Sequence, residues 1–160
     1  MNKLLSISLL FITLLSLSSC TSNDKPLEYK YITMENDTWN RFFSPTFEFE
    51  INNADIKYDF YLVAKVNREL PVNTIPFVLA TSFDNGDERA VKLNFQIMDK
   101  DHQFYGEFKD GYYICKVPLR KNYFAHKKGT IKLEVTNTTS KFNLEGVHSV
   151  GIEMYKSKKK

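Results

Sequence analysis

The chain has 160 residues, 42% of them hydrophobic and 26% charged, with a formal net charge of +3. The length suits one domain with a sizeable core, and two cysteines, one of them closing an apolar leader, exclude a disulfide framework. Lys3 and the lysines of 156–160 account for the positive balance; without them acids slightly outnumber bases, which excludes a chain-wide basic surface for nucleic acid.

Lys3 opens the leader, Leu4 to Leu17 is apolar apart from Ser and Thr, and small residues precede Cys20. This is the pattern of an export signal. Fourteen residues at about 1.5 Å each reach about 21 Å, short of a hydrocarbon core about 30 Å thick. Leu17-Ser18-Ser19-Cys20 resembles the signal of a bacterial lipoprotein, whose cleavage leaves the lipidated cysteine first. That resemblance implies a signal peptide over 1–19 and acylation at Cys20. Thr21 in the next place favours an outer-membrane anchor, and the single acid in Thr21-Ser22-Asn23-Asp24-Lys25 does not support surface display, so the domain is expected to face the periplasm. The segment 20–29 is polar, holds Pro26 and reads as lipidated cysteine plus tether.

A folded domain is expected over 30–155, built of strands. Thr46 to Ile51 alternates apolar residues with acids, the mark of a half-buried strand. Lys57 to Val66 puts Tyr58, Phe60, Leu62, Ala64 and Val66 on one face and Tyr61 and Val63 on the other, so it is expected to be central. Ile75 to Phe83 is apolar almost throughout and is also expected to be central. After the turn Asp84-Asn85-Gly86-Asp87, Val91, Leu93, Phe95 and Ile97 point inward. Lys109-Asp110-Gly111 signals a hairpin between Phe104–Gly106 and Tyr112–Val117. Pro118 to His126 is ambiguous and is read as holding a short helical turn. Ile131, Leu133 and Val135 alternate with polar residues, Thr138 to Asn143 reads as a loop, and Val147 to Tyr155 supplies a last strand. About eight short strands with no sustained 3.6-residue period indicate an all-β fold, an antiparallel β-sandwich of jelly-roll or immunoglobulin-like type. The residues 156–160 form a basic tail, read as a solvated end or as a contact for anionic headgroups.

Catalytic signals are sparse. His102, His126 and His148 sit in no recognised motif, and no H-E-x-x-H, P-loop, EF-hand loop or G-x-S-x-G is present. Asp99, Asp101 and His102 read as a solvated turn, since a calcium loop needs more oxygens. Cys115 lies in a strand pattern and reads as a buried thiol. No cofactor or metal is expected. Aromatics are the surplus: Trp39, Phe42 and Phe43 precede the first clear strand. Exposed, they would stack on sugar rings or anchor a partner; buried, they would close one end of the sandwich.

Several segments carry a resemblance to a known family. They are the Trp39 segment, the strand at Tyr58 followed by Asn67-Arg68 and Leu70-Pro71-Val72-Asn73-Thr74-Ile75, and the ending Leu144-Glu145-Gly146-Val147-His148-Ser149-Val150-Gly151-Ile152. Over about Tyr29 to Tyr155 the chain resembles the GldH family of gliding-motility lipoproteins from Bacteroidetes. Leu70 and Val72 stand where that family usually has aromatics, and Asn137-Thr138 near where members often carry Met-Arg. The resemblance implies a non-enzymatic envelope lipoprotein that assists a motility machine associated with type IX secretion, through an envelope protein partner. Trp39, Arg68, Tyr61 and Tyr113 are the candidate interface residues, Arg68 as either a buried anchor or a contact. The alternative is a carbohydrate-binding lipoprotein using exposed aromatics.

Overall fold

The structure, a computed structural model, describes residues 25–84, 86 and 88–158. Cys20 and the leader therefore lie outside the described residues. The chain forms β1 (Glu28–Thr33), β2 (Thr38–Asn40), β3 (Thr46–Ile51), β4 (Lys57–Val66), β5 (Thr74–Phe83), β6 (Glu88–Gln96), β7 (Glu107–Lys109), β8 (Tyr112–Phe124), β9 (Gly129–Asn137), β10 (Asn143–Glu145) and β11 (Val147–Lys156). One sheet has the order β1-β11-β4-β8-β7 and the other β3-β9-β5-β6; β2 and β10 make a small ribbon. All named pairs are antiparallel.

The order decides between the two sandwich types. Without the three-residue strands β2, β7 and β10, the outermost strands of the chain pair with each other, β1 with β11, then β3 with β9, β4 with β8, and β5 with β6. A long antiparallel ribbon wrapped on itself gives this nested pattern, with β11 then meeting β4 and β9 meeting β5. It is the jelly-roll arrangement.

Alternation places the core. Phe47 and Phe49 of β3, Phe60 and Leu62 of β4, Phe77 of β5 and Ile152 of β11 are all buried between the sheets. The Phe49 and Phe60 rings meet edge to face across the two layers, 5.8 Å between centroids. β4 and β5 are central as expected, each flanked on both sides. Trp39 is 1% exposed and joins this core, so it cannot serve as an interface residue; its Nε1 donates to the Phe43 carbonyl at 2.9 Å.

Three expectations change. β1 begins at Glu28, inside the expected tether, because its backbone is claimed by β11. The expected helical turn at 118–126 is the second half of β8. Pro118 fits there because it sits beside a β-bulge opposite Tyr61, on a stretch that β7 does not cover. The hairpin strand before Asp110-Gly111 is β7 at Glu107–Lys109, not Phe104–Gly106. Asp110 and Gly111 both have positive φ, 52° and 87°, as a two-residue primed turn requires.

The sandwich has two distinct ends. At the near end the chain comes in before Glu28, which pairs with Met154, and β11 leaves at Lys156, which pairs with Tyr58. At the far end stand the β2–β10 ribbon and the connections 34–37, 67–73, 97–106 and 138–142. The ten residues of β4 run from one end to the other, a span of about 33 Å at roughly 3.3 Å per residue.

Candidate functional site

The connection from β4 to β5 is shaped by its own side chains. Asn67 Oδ1 accepts from the Glu69 N–H at 2.8 Å, and the Asn67 N–H donates to the Gly146 carbonyl at 2.9 Å. Gly146 has φ +81°, and a Cβ there would overlap the backbone nitrogen of Leu70. Only glycine fits both constraints. The loop after β6 is held in the same way. The Asn73 carbonyl accepts from the N–H groups of Ile97 and Met98. Asp99 Oδ1 accepts from the N–H groups of Asp101 and Gln103 at 2.8 and 2.9 Å. The Asp99 carboxylate is thus engaged by backbone donors, as a capped turn.

These two loops and the start of β8 enclose a groove of about 610 Å³ at the far end. Phe104 stacks on Tyr113 at 3.9 Å between centroids with planes 6° apart, and Phe108 leans on the same ring at 4.9 Å. Arg68 is exposed, so it is no buried anchor, and its Nη2 lies 3.4 Å from the Tyr113 hydroxyl. His102, Gln103 and Pro71 are exposed along the groove, and the buried Leu70 and Met98 complete its lining. A guanidinium at the hydroxyl edge of a stacked tyrosine, beside exposed ring surface, suits an acidic or aromatic side chain. Two of the four sequence candidates, Arg68 and Tyr113, therefore meet in one site.

Tyr61 is elsewhere, on the outer face of the first sheet. Its ring meets Tyr155 edge to face at 5.4 Å, with Lys116 Nζ 4.6 Å above it. Lys116 also donates to Glu153 Oε2 and to the Tyr155 hydroxyl, both at 2.6 Å, and Tyr31 donates to Glu153 Oε1 at 2.5 Å. Partial burial pushes Glu153 up, but the bonds from Lys116, Tyr155 and Tyr31 outweigh it and hold the carboxyl below its usual range. Burial first, then Glu153, raises Tyr31. Tyr29, 62% exposed, continues this face beside Tyr31. Sequence reasoning passed over Tyr29, which fell at the end of the expected tether, and Tyr31, which opens the expected domain before the first clear strand; their two-residue spacing was the available signal.

A second cluster was also missed. Asn36 and Asp37 both adopt φ 51° in the turn at 35–37. That turn presents Asp37 to three partners: His148 Nδ1 at 2.7 Å, the Tyr112 hydroxyl at 3.1 Å and Asn67 Nδ2 at 3.3 Å. Tyr112 stacks on His148 at 4.2 Å. A His–acid pair invites comparison with hydrolases, which also need a nucleophile in reach. Among the described residues no serine or cysteine hydroxyl or thiol is hydrogen-bonded to His148. Cys115 is buried, and burial pushes its thiol up to about 11, away from the thiolate that chemistry needs. The cluster ties the turn, the β4–β5 loop and β11 together behind the groove.

The far end also projects aromatic rings. Phe42 and Phe142 are 78% and 65% exposed, their rings 5.9 Å apart at the tip of the β2–β10 ribbon. Two bonds close the ribbon tip: Arg41 N–H donates to the Phe142 carbonyl at 2.8 Å, and Asn40 Nδ2 to Asn143 Oδ1 at 3.0 Å.

The groove, the Asp37 cluster and the ribbon all fall within 27–154, and a model of the GldH lipoprotein family matches the chain over those residues. No curated protein shows significant similarity to the chain. The match covers well over half of the sequence and takes in both the Asn67-Arg68 loop and the Gly146–Gly151 ending, so the chain belongs to the GldH lipoprotein family.

Proposed function

We propose that this is a non-enzymatic lipoprotein, anchored through Cys20 in the outer membrane with its domain in the periplasm, that serves a gliding-motility or type IX secretion machine by docking a protein partner. The observation that carries this reading is the position of the Arg68–Tyr113 groove, at the opposite end of the jelly roll from the residues that follow the anchor. A lipid at one end and a groove at the other suit a tethered adaptor. Phe42 and Phe142 extend the same end and add exposed apolar contact. The partner segment that fits carries an acidic or aromatic side chain for Arg68 and the Phe104–Tyr113 stack.

Cross-linking and purification from the native envelope tests it. A specific protein should be recovered with the unaltered chain and fall about tenfold with Arg68→Glu at equal chain levels. Undiminished recovery with Arg68→Glu, or polysaccharide recovered with no protein, overturns it.

Glycan binding is a second reading, favoured by the exposure of Tyr29 and Tyr31 on the outer sheet face. The burial of Trp39 takes away the ring best suited to it. Loss of polysaccharide binding in Tyr29→Ala with Tyr31→Ala would move the assignment to that face; no binding by the unaltered chain ends it.

A further inference from the structure

The near end of the jelly roll is studded with lysine. Lys25, Lys57, Lys127, Lys128, Lys156 and Lys158 are all exposed. They share one end because Lys57 opens β4, Lys127 and Lys128 form the loop between β8 and β9, and the Ser157 N–H donates to the Lys57 carbonyl at 2.9 Å. Three of the acids at this end are engaged by strand groups, while Asp55 and Glu88 are exposed and outnumbered by the lysines. Asp59 accepts from the Asn122 N–H and the Ser157 hydroxyl, Asp84 from the Thr130 N–H, and Glu28 pairs with Lys30 at 3.2 Å. Two exposed apolar side chains, Leu27 and Phe124, stand among the lysines. The far end is mixed in charge, exposing Glu35, Glu69, Asp101 and Asp110 beside Arg41, Arg68, Lys100 and Lys141.

We propose that this lysine end is a docking surface for the anionic headgroup layer of the bilayer. The inference rests on the reading of Cys20 as the lipidated residue. From Cys20 to Lys25 there are five peptide steps, at most about 18 Å fully extended. The anchor thus holds the lysines close to the headgroups, where the field extends about 8–10 Å at ordinary ionic strength. Leu27 and Phe124 suit the apolar margin of the same layer. Docked so, the domain stands upright and presents the Arg68–Tyr113 groove away from the membrane. A second copy is a poor occupant, since lysines would face lysines.

The test uses the chain from residue 21 onward, which carries no lipid; its core lies wholly between Ile32 and Met154, so the fold does not depend on the anchor. Sedimentation is measured with phosphatidylcholine vesicles and with vesicles of phosphatidylcholine and phosphatidylglycerol in equal parts. Binding to the mixed vesicles should exceed that to phosphatidylcholine about tenfold and fall with added salt. Lys127→Glu with Lys128→Glu should cut it about tenfold, while Lys65→Glu with Lys141→Glu leaves it unchanged. Equal binding to both vesicles, no binding to either, or loss only with the 65 and 141 pair overturns the proposal, the last pointing to the Phe42–Phe142 tip. Acylation of Cys20 is read separately by lipid labelling, so failure of the anchor and failure of the lysine surface are distinguishable.

Discussion

The ring of Tyr31 lies across Gly151 on the neighbouring strand, in a place that any side chain at residue 151 would take. The two residues are register partners in the β1–β11 pair, and a Cβ on Gly151 would overlap Tyr31 Cδ1 and come within 2.6 Å of the Lys30 carbonyl oxygen. Gly151 thereby lets Tyr31 lean inward far enough to reach Glu153. Gly151→Ala should destabilise the domain by about 1–3 kcal/mol in urea unfolding. Combined with Tyr31→Ala it should cost less than the sum of the two changes, because the ring it displaces is gone. Strict additivity would mean that the ring and the glycine are not in contact.

The Tyr31–Glu153–Lys116–Tyr155 network ties stability to pH at both extremes. The folded state depresses the pKa of Glu153, so its contribution is present above the unfolded value, near 4.5, and is lost as pH falls through the folded one. Lys116 is raised: burial pulls it down, but Glu153 and Tyr155 more than offset that. Its contribution is complete below its unfolded value near 10.5 and is lost as pH rises through the folded one. Tyr31 and Tyr155, raised by burial first and Glu153 next, act in the same alkaline direction. Urea midpoints should therefore drop below about pH 4.5 and again above about pH 10. Glu153→Gln should cost about 1–2 kcal/mol at neutral pH and weaken both limbs. A midpoint profile that Glu153→Gln leaves unchanged contradicts this assignment.

Trp39 is the one tryptophan of the chain, and it is buried with its Nε1 bonded to the Phe43 carbonyl. Its emission should be blue-shifted in the folded protein, resistant to iodide, and should move red on unfolding. Trp39→Ala should cost about 3–5 kcal/mol. Native emission at the wavelength of free tryptophan would contradict its burial.

Cys20→Ala should abolish acyl labelling and let high salt strip the chain from membranes, while leaving the emission of Trp39 unchanged, since the core begins well after residue 20. Two or more acyl chains hold a protein stably where one does not. Membrane retention and labelling that survive the change would place the anchor elsewhere.

The strands legible in the sequence are those whose burial follows a simple period. β3 alternates Phe47, Phe49 and Ile51 inward with Glu48 and Glu50 outward, and the structure keeps that pattern. Asp110-Gly111 announced its turn for the same local reason. β1 carries little inward burial beyond Ile32, and its existence depends on β11, whose Met154 pairs with Glu28 far along the chain. No local window holds that information. β8 was broken in expectation by Pro118, which is accommodated by a bulge that only the partner strand reveals. Arg68 and Tyr113 were each singled out, but their meeting, 45 positions apart, comes from the β4–β8 pairing that sets Val66 opposite Tyr113. Asp37 and His148, 111 positions apart, were invisible as a pair for the same reason.

The account turns on contact with a protein partner at the far end of the domain. Photo-crosslinking residues placed singly at Gln103, in the groove wall, and at Asp55, exposed in the near-end connection between β3 and β4, test this in the native envelope. The account predicts a discrete protein adduct from position 103, lost with Arg68→Glu, and none of that size from position 55. The same adduct from position 55 alone, or an adduct at 103 indifferent to Arg68→Glu, would contradict it.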